Sequence, residues 1–235
     1  MNLKKEKAKK LKSTLREYVE LFAETAIFVL FINTFVAQAS QVPTPSMEDT
    51  ILVGDFMFIN RFVYAKPVFP LEKTILPRRE IQRTDPVTFK FLQDGGKEVV
   101  KRVIATQGDT VEVINKQVYV NGEPIPDIHK THKDAAIIPK GDASYGEFSG
   151  RDNCGPVTVP PGRLFVMGDN RDISYDSRFW GCLPVSAVRG RPWMLFFSYR
   201  AEENVHLKQG LKDKIRRWTQ YFPRARWNRI FYIVR

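Results

Sequence analysis

"EVVKRVIATQGDTVEVINKQVYVNGEPI" (residues 98–125) decides the fold. Its opening run is rich in β-branched residues and stops at a Gly-Asp pair. The remainder reads as two alternating strands about Asn115-Lys116, closed by an Asn121-Gly122 turn, the pattern of a tight hairpin. In the opening run, the strand period of two puts Val99, Lys101 and Val103 on one face and Val100, Arg102 and Ile104 on the other. Further strands are expected in "TILVGDFMFINRFVY", "VTFKFL", "RLFVMGDN" and "RPWMLFFSY". No βαβ rhythm appears and no long amphipathic helix interrupts the middle, so the body is expected to be mainly β and antiparallel. The Gly-Asp pairs at 54–55, 108–109 and 168–169 read as strand-end turns, not as a repeat. Two irregular stretches stand apart, the proline-rich 65–86 and the long polar 125–156. Long ordered loops of this kind are often functional or form a small subdomain, here set at 113–156.

The chain has 235 residues, 43% of them hydrophobic and 27% charged, enough for one good core and ordinary for a globular protein. Its net charge of +11 is concentrated at the ends. Residues 1–16 carry seven Lys/Arg against one Glu, and 208–235 carry nine against one Asp, which leaves 17–207 at −3. A nucleic-acid-binding domain usually carries its basic patch on the folded body, so no nucleic-acid partner is expected. Basic ends suit anionic lipid, or simply solubilise the chain. The last segment, "LKDKIRRWTQYFPRARWNRIFYIVR", interleaves arginines with six aromatics, as a bilayer interface favours. The same composition could bind single-stranded RNA or pack on the body. Residues 208–235 are therefore read as a basic, aromatic, membrane-proximal segment.

At the other end, thirteen residues from Thr25 to Ala37 are uncharged. Extended back to Tyr18 the run reaches about twenty residues, enough to cross the hydrocarbon of a bilayer, although Glu20 and Glu24 fall inside it. The expectation is a basic cytoplasmic tail over 1–17, a transmembrane anchor over 18–38, and a β-rich domain over 39–207 on the far side of the membrane. A cleaved secretory signal has a similar outline, with small residues at "AQA". The long basic tail and the dense segment that follows favour an uncleaved anchor. A buried amphipathic helix is the remaining alternative.

Ser46 lies in "QVPTPSMEDTILVGD" (41–55), between Pro45 and Met47. A serine nucleophile needs a base, and none of the three histidines, His129, His132 and His206, lies within eighty residues of it. Lys101 is the better candidate. If its face, shared with two valines, is buried, desolvation lowers its pKa toward neutrality; on an edge strand its head would stay in water. The third dense stretch, "MGDNRDISYDSRFWG" (167–181), crowds Asp169, Asn170, Arg171, Ser174, Asp176 and Arg178 beside a strand, which suggests a hydrogen-bonded network. Arg102 is placed to pair with one of its aspartates. No phosphate loop is visible, so no cofactor is expected. A zinc site from His129, His132, Cys154 and Cys182 would match no common spacing. The two cysteines could equally be a disulfide or free thiols.

Together, "PTPSMEDTILVGD", "VVKRVIATQGDTV" and "MGDNRDISYDSRFWG", in this order, resemble bacterial type I signal peptidases. The resemblance implies an antiparallel β catalytic domain and a serine endopeptidase with a Ser–Lys dyad, which removes signal peptides from exported preproteins at the outer face of the cytoplasmic membrane. It makes Ser46 the nucleophile and Lys101 the general base, with Ser174 orienting the lysine. The Ser46 N–H and the Thr44 hydroxyl would bind the oxyanion, and Arg102, Asp169, Asp176 and Arg178 would support them. Val42, Met47, Ile51, Val99 and Val100 fall where family members line shallow pockets, so the substrate expected has small residues at −1 and −3. Membrane lipid and the secretion translocon are the further partners implied. Two departures are Pro45, where many members have Gly, and Asp49, where many have Pro. Peptide alignment in the site is what they put in question. Two other readings compete: a non-catalytic membrane-tethered β domain that binds peptides or lipids, and a self-cleaving Ser–Lys protein.

Overall fold

The protein is seen in a computed structural model that describes residues 2–33, 37–64, 78–91, 95–126, 128–200 and 221–234. Contacts divide it into two units, 1–38 and 39–235. The first unit is dominated by helix α1 (Asn2–Phe31). Residues 34–36 of the anchor expected over 18–38 lie outside the described residues, and no helix among those described is long and apolar enough to cross a membrane. The reason lies in the charge pattern. The last eighteen residues of α1 still contain Arg16, Glu17, Glu20 and Glu24, and the uncharged run leaves the α-helix at Phe31. The tail expected over 1–17 is correspondingly part of the same helix from Asn2 onward.

The second unit is the β body. The chain lays down β1 (Ala37–Gln41), β2 (Asp55–Asn60), β3 (Pro86–Phe91) and β4 (Lys97–Ala105). It then builds β5 (Thr110–Ile114), β6 (Gln117–Val120), β7 (Glu123–Pro124) and β8 (Cys154–Thr158) as a separate four-stranded sheet in the order β7-β6-β5-β8. Returning, it adds β9 (Arg163–Met167), β10 (Leu183–Pro184) and β11 (Val188–Ser198) to a seven-stranded sheet in the order β1-β2-β11-β3-β4-β9-β10. The pairings among β2 to β11 are antiparallel.

Local chemistry explains the second sheet. Asn115 and Lys116 both hold positive φ, 46° and 70°, in a two-residue turn that pairs Ile114 with Gln117. Such primed turns match the twist of the flanking strands, but lysine has no preference for positive φ. Neighbours compensate: Lys116 N donates to Asp152 O (2.9 Å) and Asn115 N to Asn153 Oδ1 (3.0 Å). The same device recurs at Asn121-Gly122, which pairs Val120 with Glu123.

Alternation along β4 then sorts the core. Val103 packs with Val87, Phe89, Leu164 and Val166 on one face. Val100 faces the other way, with Val42, Met47, Ile51, Met57 and Leu195 beneath the Ser46 turn. Ile104 belongs to a third cluster, with Val111, Val113, Val118 and Val120 of the small sheet. Burying each such side chain is worth about 1.5–3 kcal/mol, and β4 draws on all three clusters. Cys154 and Cys182 are free thiols, and burial raises the pKa of each. The expected loop at 65–86 lies outside the described residues up to 77, as does 208–220 of the C-terminal segment.

Candidate active site

Ser46 sits in a 3-10 turn, Pro45–Met47, entered from an extended Thr44. Pro45 occupies the first position of that turn, where a fixed φ is an advantage and a missing N–H costs nothing. Glu48 N and Ile51 N close the turn on Pro45 O (3.0 Å) and Met47 O (2.8 Å). Ser46 is 7% exposed, and its Oγ lies 3.4 Å from Thr44 Oγ1. Its N–H is among the donors that the start of a helical turn leaves without an intrahelical acceptor.

Lys101 is 4% exposed, and its Nζ donates to Ser174 Oγ at 2.9 Å. Burial pulls its pKa down to about 8; Asp176 pulls it up, Arg178 lowers it further, and Asp169 raises it. Ser174 Oγ also accepts from Gly168 N (3.1 Å), and Gly168 N donates in turn to Asp176 Oδ2 (3.0 Å). Asp176 caps the short helix α2 (Ser177–Trp180) and pairs with Arg178 at 2.9 Å. Burial alone would raise the Asp176 pKa, but the Arg178 charge and hydrogen bonds outweigh it and hold the carboxylate ionised. Arg178 also donates to Arg151 O (2.7 Å) and Arg171 O (2.8 Å), so one guanidinium ties three loop segments together.

On the other face of β4, Arg102 grips Asp169 with two bonds of 2.7 Å, and Thr50 Oγ1 adds a third of 2.7 Å. Ser46 O accepts from Asn170 N at 3.1 Å. The Ser46 turn, β4 and the 168–181 loop are thereby locked to one another through buried groups. Among the described residues, no hydrogen bond joins Ser46 Oγ to Lys101 Nζ. Instead both open onto one cavity of about 510 Å³, walled by Phe89, Phe91, Val99, Tyr175 and Trp180. Sharing Thr44 and Ser46 with it is a cleft of only about 10 Å³, which takes in Val42, Met47, Met57 and Val100. Of the residues expected to bind substrate, Val42, Met47 and Val100 therefore share the narrow cleft and Val99 the large cavity. Ile51 is fully buried in the core beneath and lines neither.

Residues 15–197 match the model of a family described as signal peptidase, peptidase S26. The chain belongs to that family. The signal peptidase I of Aquifex aeolicus is 31% identical over 78% of this chain and 84% of its own length. That of Bacillus licheniformis is 31% identical over 83% of this chain and 95% of its own, and that of Pseudomonas aeruginosa 29% identical over 79% and 73%.

Within this signal-peptidase-family chain, several residues of the site escaped sequence reasoning. Gly168 reads as a strand-end turn, yet its role is close approach: a Cβ there would strike Ser174 Oγ and Ser46 O. Residue 131 falls in the irregular stretch 125–156. Thr131 N donates to Asp169 O (2.8 Å), Arg171 N to Thr131 O (3.0 Å), and Thr131 Oγ1 to Asp49 Oδ2 (2.6 Å). It thus straps the 168–181 loop to the segment that follows Ser46. Asp172 gathers Lys133 N (2.6 Å), Asp134 N (2.8 Å) and Lys116 Nζ (3.1 Å), with His132 Nδ1 at 3.2 Å. Burial opposes its ionisation, but these donors hold its carboxyl well below the usual range. The only signal for this was the excess of Asp and Asn. No cluster of three or more His, Cys, Asp or Glu fit for a metal is found among the described residues.

Proposed function

We propose that the protein is a serine endopeptidase that removes N-terminal signal peptides from exported preproteins, with Ser46 as nucleophile and Lys101 as general base. The observation that carries this is the buried lysine, whose head is fixed by Ser174 at 2.9 Å and whose pKa is near 8, on the wall of the cavity that Ser46 enters. The names of its relatives, signal peptidase I, supply the substrate class.

In the first step, neutral Lys101 takes the Ser46 hydroxyl proton as Oγ attacks the scissile carbonyl. The Ser46 N–H and the Thr44 hydroxyl receive the oxyanion; donors of this kind contribute roughly 3–4 kcal/mol to lowering a barrier. Lys101 then passes its proton to the leaving nitrogen, the C–N bond breaks, and an ester remains on Ser46. A water deprotonated by Lys101 hydrolyses that ester.

The substrate lies extended. Among the described residues β4 pairs with β3 from Lys97 to Arg102, but with β9 only from Arg102 onward. Among the described residues the opposite edge at 98–101 pairs with no strand, and a peptide strand can add there. The narrow cleft beside Ser46 favours small side chains, in keeping with small residues at −1 and −3. Residence at the outer face of the cytoplasmic membrane, beside the translocon, is part of the same proposal. The exposed apolar side chains of α1, such as Phe22, Ile27 and Phe28, support a membrane-associated segment.

The test is cleavage, in detergent, of a preprotein with an Ala-X-Ala site. Wild type cleaves; Ser46→Ala and Lys101→Ala remain folded by circular dichroism and do not. Turnover by either variant would remove the dyad.

A further inference from the structure

We infer that the aromatic-walled cavity is the subsite for the residue that follows the scissile bond, and that it takes a large apolar or aromatic side chain. This rests on the proposed Ser46–Lys101 mechanism. Lys101 must hand its proton to the leaving nitrogen, so the space on the lysine side of Ser46 belongs to the leaving peptide. In an extended chain, consecutive side chains point to opposite faces. The residue before the bond therefore turns into the cleft of Val42, Met47 and Val100, and the residues at −2 and +1 turn to the cavity face, with +1 on the leaving side where Lys101 delivers its proton. Alternation along β4 fits this, since Val99 and Lys101 line the cavity while Glu98 and Val100 line the cleft.

The two spaces differ greatly, about 510 Å³ against about 10 Å³. A cavity that size around a single alanine would be left to water, against walls that include the rings of Phe91, Tyr175 and Trp180. Phe91 and Trp180 have centroids 5.5 Å apart, Phe89 and Trp180 6.0 Å, and Phe91 and Tyr175 6.2 Å, all tilted or edge-on. Phe91, Tyr175 and Trp180 offer ring faces and edges to a further aromatic group, while Phe89, fully buried, backs Trp180. Glu147, at the rim, sets a carboxylate against any acidic residue in this place.

The experiment uses preprotein substrates with Ala-X-Ala before the bond and Ala, Leu, Phe, Trp or Asp after it. Wild type is expected to prefer Phe over Ala by about tenfold in kcat/KM and to cleave the Asp substrate least. In Phe91→Ala and Tyr175→Ala the Phe-to-Ala ratio falls toward one, and Glu147→Gln narrows the gap between Ala and Asp. Equal rates for Ala, Leu and Phe would overturn the assignment, as would a preference for bulk that follows the residue before the bond. Failure to cleave any substrate would instead sink the proposed function. The subsite is then read by binding to Ser46→Ala, where the Phe substrate alters tryptophan fluorescence through Trp180. Equal binding of the Phe and Ala substrates, or a signal that survives Trp180→Phe, would sink it independently.

Discussion

Lys101 is expensive to bury and useful for that reason. Taking its pKa from 10.5 to about 8 corresponds to about 3 kcal/mol of lost stability while the amine is charged. Below pH 8 the lysine is protonated in both folded and unfolded chains, so the folded state carries the whole cost. Between 8 and 10.5 the unfolded chain binds more protons, and stability rises with pH. Lys101→Met should therefore abolish cleavage yet raise the melting temperature at pH 6–7. That gain should shrink as pH climbs from 8 toward 10.5. A constant gain across the range, followed by calorimetry, would place the lysine in solvent. For wild type, kcat/KM should rise with pH and level off above about 8, as a base with that pKa requires. A second residue, Asp49, holds φ at 77° while its carboxylate receives Thr131. Proline, common there among relatives by resemblance, cannot adopt positive φ. Asp49→Pro should cost more than about 1 kcal/mol in urea unfolding, whereas Asp49→Asn, which tolerates positive φ, should be near neutral.

At the scale of elements, β4 and the 168–181 loop work as one unit, riveted by Arg102 and Asp169. Both are almost wholly buried, so removing one partner strands a charge. Asp169→Ala should destabilise the protein by roughly 3–5 kcal/mol. The Arg102→Ala, Asp169→Ala double variant should lose less than the sum of the singles, and simple additivity in denaturant melts would show the pair uncoupled. Gly168→Ala tests the closeness of that loop to Ser46. Its methyl must displace Ser174 or the Ser46 carbonyl, and cleavage should fall by about 100-fold or more. Such elements were legible to different degrees. The hairpin about Asn115-Lys116 and the two faces of β4 follow from periods and turn residues that act locally. Thr131 and Asp172 do not, because their hydrogen bonds join segments far apart in sequence and no local pattern marks them. The anchor expected over 18–38 rests on hydropathy, and its uncharged run straddles the end of α1.

Across the molecule, the C-terminal chain returns to the sheet that begins beside Ser46. Arg229 donates to Asp55 Oδ2 (2.8 Å) and to Thr50 O (2.9 Å), and Val234 is buried against β11. Thr50 in turn donates to Asp169, so the C-terminal segment braces the 168–181 loop from outside. What it leaves outward is apolar: Phe222, Trp227 and Phe231 are 72%, 62% and 71% exposed, beside Trp193 and Tyr232. Arg229 lies over the Tyr232 ring at 5.3 Å. Exposed aromatics among arginines match a bilayer interface, where rings settle at headgroup depth and guanidinium groups meet phosphates. Basic residues held near an anionic surface contribute about 1 kcal/mol each. The paired substitution Trp227→Ser, Phe231→Ser should therefore weaken flotation with phosphatidylglycerol vesicles by about tenfold, while α1 supplies residual binding through its own exposed apolar side chains. Cleavage of a short soluble peptide should be unchanged, because neither ring lines the cavity or the cleft. Cleavage of a preprotein embedded in the same vesicles should fall in step with flotation. If flotation is unaffected, the patch does not meet lipid. If the soluble peptide is also cleaved more slowly, the rings act through the brace on Asp55 and Thr50, and the surface role gives way to a structural one.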